Sequence, residues 1–86
     1  MNSITVYYFG DLMARLGIGR EALRLPPSVK DVAGLMKVLA VRGGDWQAAF
    51  SAFRPTLRIT VNKQEADPST ALPAGAEVAF IESVSV

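Results

Sequence analysis

The chain has 86 residues, 50% of them hydrophobic and 20% charged, which describes a single folded domain rather than several and is too apolar for a disordered segment. It contains neither cysteine nor histidine, which excludes disulfides, thiolate metal sites, cysteine nucleophiles, histidine bases and the Ser-His-Asp triad. Nine basic residues against eight acidic ones leave a net charge of +1 with the signs interspersed, so no nucleic-acid partner is expected.

Ile4 to Phe9 is a β-branched and aromatic run stopped by Gly10-Asp11, which predicts a first strand. Asp11 is placed to cap a short helical turn through Leu12, Met13 and Leu16, ended by Gly17 and Gly19. Glu21 to Leu25, before Pro26-Pro27, predicts a second strand returning beside the first as a hairpin. Ser28-Val-Lys-Asp31 matches a capping pattern, so a helix is expected to start at Ser28. Val29, Val32, Ala33, Met36, Leu39 and Ala40 line its apolar face, and Arg42-Gly43-Gly44 stops it. Asp45 to Phe53 predicts a short second helix with Trp46, Ala49, Phe50 and Phe53 on one side, ended by Pro55. Leu57, Ile59 and Val61 alternate with Arg58 and Thr60 as a third strand, and Asn62-Lys63 turns it into a short partner at Gln64 to Ala66. After a polar loop, Glu77 to Ile81 forms the last strand, with Val78 and Phe80 on one face and Ala79 and Ile81 on the other.

A long helix between an early hairpin and later strands allows a right-handed crossover that makes the first and last strands parallel central neighbours. The expected fold is therefore α+β, of β-grasp (ubiquitin-like) topology. It has a mixed sheet of four to five strands packed on one main helix plus a short second helix. The domain covers residues 1–81 and a C-terminal tail covers 82–86. The longest uncharged stretch, Met1 to Gly10, is about half of the ~20 apolar residues a membrane span needs, and no basic segment precedes it, so a cytoplasmic protein without a membrane partner is expected.

Little in the side chains points to catalysis. Glu65, Asp67, Glu77 and Glu82 cluster in the last third, but mostly at turns and strand ends, where charge is ordinarily solvated. Gly17-Ile-Gly19 lacks the third glycine of a dinucleotide fingerprint, and there is no phosphate-binding loop. No cofactor and no metal site is expected. Trp46, Phe50 and Phe53 read as core packing. Tyr7 and Tyr8 straddle the first strand, so one of them faces outward.

Val61-Asn-Lys63, Leu72, Gly75, Glu77-Val-Ala-Phe80 and Val84 resemble, in order and spacing, the small subunit of molybdopterin synthase (the MoaD-like family), a β-grasp sulfur carrier. The strand ending at Phe9, the Leu16-Gly17 break, the helix from Ser28 and the Trp46 segment extend the likeness over nearly the whole chain. The related thiamine-pathway carriers (ThiS-like) share the fold but typically lack a Trp46-type insertion. The resemblance implies two partners, an ATP-dependent adenylating (E1-like) enzyme and the large subunit of molybdopterin synthase. It also implies that the reactive group is the chain's own C-terminal carboxylate, which becomes a thiocarboxylate, so the domain is half of a sulfur-transferring enzyme with no active site of its own. Ile81, Glu82, Ser83, Val84, Ser85 and Val86 would then bind the partner as an added strand or groove ligand.

The tail departs from the family pattern. Such carriers end in Gly-Gly, which threads a narrow channel. With Val84 aligned to the near-terminal Val of the family, Val86 stands at the first glycine and the second has no counterpart. A Pro pair common before that Val is replaced by Glu82-Ser83. The chain as written is thus expected to be poorly activated, and replacement of Val86 by Gly-Gly is expected to permit adenylation. Three explanations stay open: terminal residues omitted from the sequence, a member that has lost carrier activity, or a non-catalytic ubiquitin-like protein-interaction domain.

Overall fold

The chain's two periodicities, alternation in the strands and a 3.6-residue repeat in the helices, sort its apolar side chains onto the facing surfaces of two layers. In the computed structural model, which describes residues 2–51 and 56–82, the order is β1 (Asn2–Gly10), α1 (Asp11–Leu16), β2 (Arg20–Leu25), α2 (Val32–Ala40) and α3 (Gly44–Phe50), then β3 (Leu57–Val61), β4 (Gln64–Ala66) and β5 (Glu77–Glu82). The five strands form one sheet in the order β2-β1-β5-β3-β4. β1 and β5 run parallel at its centre, with Tyr7 opposite Ala79 and Phe9 opposite Ile81; the other pairings are antiparallel. This is the β-grasp arrangement, and the main helix is the crossover that a parallel central pair requires.

The helices cover one face of the sheet. Ile4, Val6 and Tyr8 of β1, Leu57, Ile59 and Val61 of β3, and Val78 and Phe80 of β5 point into the core. They meet Leu12, Val32, Leu35, Met36, Leu39, Ala49 and Phe50. Aromatic rings fill the end under α3: Tyr8 meets Trp46 edge to face at 5.3 Å, and Phe50 meets Phe80 at 4.9 Å. These geometries suit the ring quadrupoles, so the aromatic segment is core, as its spacing indicates. α3 starts one residue earlier than expected, at Gly44, and ends at Phe50, where Ser51 caps it by donating to the Gln47 carbonyl, so Pro55 is not what stops it; Phe53 and Pro55 lie outside the described residues.

The caps of α2 and α1 differ from expectation. α2 begins at Val32 and its N-cap is Asp31, whose Oδ1 accepts from the Gly34 amide at 2.8 Å. Ser28 instead occupies a turn closed by the Val29 amide donating to the Pro26 carbonyl at 3.0 Å, because Pro26-Pro27 bend the chain before the helix can start. The loop before β5 then satisfies two further orphan amides: Val32 donates to the Thr70 carbonyl and Ala33 to that of Pro68. A side chain at Gly34 would fit tightly here, since a Cβ would stand 3.1 Å from Val29 Cγ1 and 3.3 Å from the capping Asp31 Oδ1. In α1 the cap position is Gly10, in a backbone conformation with φ 69°, and Asp11 is the first helical residue. The helix ends where expected, at left-handed Gly17. β5 extends one residue further than its hydrophobic run, through Glu82.

Candidate functional site

The face of the sheet opposite the helices is not covered by any described residue, and its centre is apolar. Cross-strand pairing lays out one row as Arg20, Tyr7, Ala79, Thr60 and Glu65, and the next as Phe9, Ile81 and Arg58. The Tyr7 and Phe9 rings stack nearly parallel at 6.1 Å. Phe9 is 46% exposed, unusual for a phenylalanine at the middle of a sheet. A shallow concavity of about 430 Å³ lies on this face, floored by Tyr7, Thr60 and Ala79 and walled by Phe9, Ile81, Lys63 and Glu77.

Charge surrounds this apolar centre. Arg20 stands on the β2 side and Arg58 on the β3 side, the latter paired with Glu65. Lys63 closes one end from the β3–β4 turn. Tyr7 Oη donates to Glu77 Oε2 at 3.2 Å, so the one carboxylate in the wall is engaged by a phenol rather than by a second acid. The arrangement suits an apolar surface of a partner protein with a polar rim, and it lacks the converging acid and base that hydrolysis or proton transfer would need. Among the described residues, no group of His, Cys, Asp or Glu could hold a metal ion, and no helix is long and apolar enough to cross a membrane.

Of the residues singled out for partner binding, Ile81 is half-buried on this outer face beside Phe9. Glu82 points the other way and is 3% exposed. Ser83, Val84, Ser85 and Val86 lie outside the described residues. The four carboxylates of the last third do not converge. Glu65 pairs with Arg58, and Glu77 bonds Tyr7 on the outer face while Glu82 is buried on the inner one. Asp67 accepts from the Ser69 side chain and amide, bonds that hold its carboxyl below the usual range.

Sequence reading missed a second polar cluster, under the β2 edge. Glu21 accepts from Arg42 through two bonds, 2.8 and 2.9 Å, and from Tyr8 Oη at 2.7 Å, while the Arg42 guanidinium lies 4.3 Å over the Trp46 ring. Burial pushes the Tyr8 phenol far up, and its bond to Glu21 adds to this. Burial also raises the Glu21 carboxyl, but the bonds from Arg42 and Tyr8 outweigh it and leave the group below its ordinary value. The bonds to Glu21 hold the Arg42 guanidinium above its own, against burial. The cluster joins β1, β2, the end of α2 and α3, so its role is to lock the layers together. The available signal was parity: Glu21 lies opposite inward-facing Val6, an acidic residue on the core side of a strand.

A family model described as the ThiS family matches residues 6–85. The chain belongs to the ThiS family. Members are ubiquitin-like β-grasp sulfur carriers, so the expected resemblance is shown at the level of the family. Solved structures agree in fold. SAMP1 from Haloferax volcanii is 20% identical, with a TM-score of 0.73 and 99% of each chain covered. Urm1 from Trypanosoma brucei is 21% identical, with a TM-score of 0.75, over 99% of this chain and 95% of that one. A putative molybdopterin converting factor, subunit 1, from Pyrococcus furiosus is 18% identical, with a TM-score of 0.69, over 98% of this chain and all of that one. No curated protein sequence matches. For a ThiS family chain, the outer-face concavity is informative because of its position: it ends at Phe9 and Ile81, one residue from the strand end that leads into the tail.

Proposed function

We propose that this chain is a sulfur carrier of the molybdopterin-synthase small-subunit type. It would dock through the outer face of its sheet and deliver its C-terminal tail to partner enzymes. The observation that carries the reading is the juxtaposition of the exposed Phe9 and the half-buried Ile81 with the end of central strand β5. A partner seated on that patch would meet the end of β5, after which the tail begins. On this reading an adenylating enzyme joins the terminal carboxylate to AMP and releases pyrophosphate. Hydrosulfide then displaces AMP to give the thiocarboxylate, which gives its sulfur to dithiolene formation on the large subunit while water returns the terminus to a carboxylate. The side chains of the domain bind and orient; none takes part covalently.

The α3 segment carrying Trp46, inserted between α2 and β3, supports a molybdenum-pathway carrier over a thiamine-pathway one. So does the likeness to the Pyrococcus furiosus protein, whose description names a molybdopterin converting factor. A second reading is a non-catalytic ubiquitin-like interaction domain, favoured by β-branched Val86 at the position the family gives to glycine. ATP–pyrophosphate exchange with a cognate activating enzyme separates them. Exchange supported by the native protein establishes the carrier. Stable binding without exchange, restored when Val86 is replaced by Gly-Gly, establishes the interaction domain.

A further inference from the structure

β2 closes one side of the sheet as an edge strand of six residues, with no proline or glycine in it. The Tyr8 amide donates to the Gly19 carbonyl at 3.0 Å, and this bond sets the phase of the ladder with β1. The backbone of Glu21, Leu23 and Leu25 therefore faces β1, while the amides and carbonyls of Arg20, Ala22 and Arg24 point away from the sheet. Among the described residues none supplies a partner to these outward groups. The opposite edge is blunted: β4 has three residues and runs into Asp67-Pro68.

The side chains of the same three residues are exposed on the outer face, with an arginine at either end and the small Ala22 between them. Among the described residues neither arginine has an ion-pair partner, whereas Arg42 pairs with Glu21 and Arg58 with Glu65. Across the ladder Arg20 and Arg24 stand opposite Tyr7 and Ser3, which carry no charge to neutralise them. At about 3.3 Å per residue the two positions lie about 13 Å apart along the strand. Positive charge on an open edge selects what pairs there. A second copy is disfavoured: the antiparallel register that uses every outward group has its two-fold axis at Ala22, and it sets Arg20 of each copy against Arg24 of the other. An extended segment with acidic residues four positions apart meets both arginines instead, with its middle residue beside Ala22.

We propose that the β2 edge binds an extended acidic segment of a partner protein as an added strand, with Arg20 and Arg24 pairing with two of its carboxylates and the Ala22 backbone bonding the residue midway between them. Main-chain hydrogen bonds supply affinity that any strand could use, and the arginines supply the selection. The alternate residues of the segment turn to the helix side, where half-buried Leu23 offers an apolar neighbour. The site uses neither the Phe9–Ile81 patch nor the chain terminus, so it stands whether or not the chain carries sulfur.

The test titrates the isotope-labelled full chain, followed by NMR, with the peptide acetyl-Ser-Glu-Val-Thr-Val-Glu-Ser-amide and with its counterpart carrying Lys in place of each Glu. The acidic peptide is expected to shift the amides of β2 and to slow solvent exchange at the Ala22 and Arg24 amides; the lysine peptide is not expected to bind. The double variant Arg20→Glu, Arg24→Glu is expected to keep the wild-type melting temperature, to bind the acidic peptide about tenfold or more weakly, and to gain binding of the lysine peptide. Ala22→Pro removes an outward amide and no bond to β1, and is expected to weaken the acidic peptide about tenfold. Should Ala22→Pro fail to fold, the arginine reversal decides. Failure of the acidic peptide to bind wild type, shifts centred on Phe9 and Ile81, or equal affinity in the arginine variant would overturn the proposal. So would exchange at the Ala22 amide that slows with protein concentration in the absence of peptide, which would give the edge to a second copy.

Discussion

Glu21 accepts three hydrogen bonds from two side chains, two from Arg42 and one from Tyr8, and Arg42 in turn covers Trp46. Removing only the phenol, in Tyr8→Phe, takes away a bond to a charged acceptor and is expected to cost about 1–2 kcal/mol in urea unfolding. A loss below a few tenths would mean that Arg42 alone satisfies the carboxylate. The same group makes stability depend on acid. Its carboxyl lies lower in the folded than in the unfolded chain, so its contribution is complete above the unfolded value of about 4.3 and is lost as pH falls through the folded value. Glu21→Gln should therefore be less stable than wild type at neutral pH, with the gap closing below about pH 4 in thermal melts. A gap constant with pH would contradict this.

Elements were legible in the sequence where one signal determined them, and misread where two signals competed. The β1, β3 and β5 patterns fix their own inward faces, and the positive φ of Asn62 and Lys63 is what a two-residue hairpin turn demands. At the start of α2, by contrast, two capping residues stand three positions apart. Ser28 matches the local pattern, but the prolines before it and the loop carbonyls of Pro68 and Thr70 favour Asp31, and those carbonyls are remote in sequence. Equilibrium unfolding distinguishes the two: Asp31→Ala should cost about 1 kcal/mol and Ser28→Ala almost nothing. Equal losses would restore Ser28 as a cap. The outer-face site was legible only in part. Alternation put Ala79 and Ile81 on the face opposite Val78 and Phe80, as found, while the 46% exposure of Phe9 on that same face was not read from its aromatic run. Glu82 was assigned to the partner-binding tail because its strand was expected to stop at Ile81; one more residue of pairing puts it in β5, facing inward.

At the scale of the molecule, the two faces of the sheet divide the work. The inner face is consumed by packing, while the outer one leaves Phe9 exposed and Tyr7 and Ile81 half-buried near the end of β5, the patch proposed to meet a partner. Phe9→Glu and Ile81→Glu put a charge into that patch without touching the core. Each is expected to leave the melting temperature nearly unchanged and to weaken binding to an activating enzyme by about tenfold or more, as measured by calorimetric titration. Wild-type affinity in both variants would remove the outer face from the account. The central claim, that this ThiS family chain carries sulfur on its terminus, is tested most directly by the intact mass of the protein purified from its native source. The mass would be taken before and after incubation with ATP, a sulfur donor and the activating enzyme. The carrier account predicts a gain equal to the difference between a sulfur and an oxygen atom, localised to the C-terminal residue. A native protein whose mass stays unchanged, whether or not the variant with Gly-Gly in place of Val86 gains the sulfur, would contradict it.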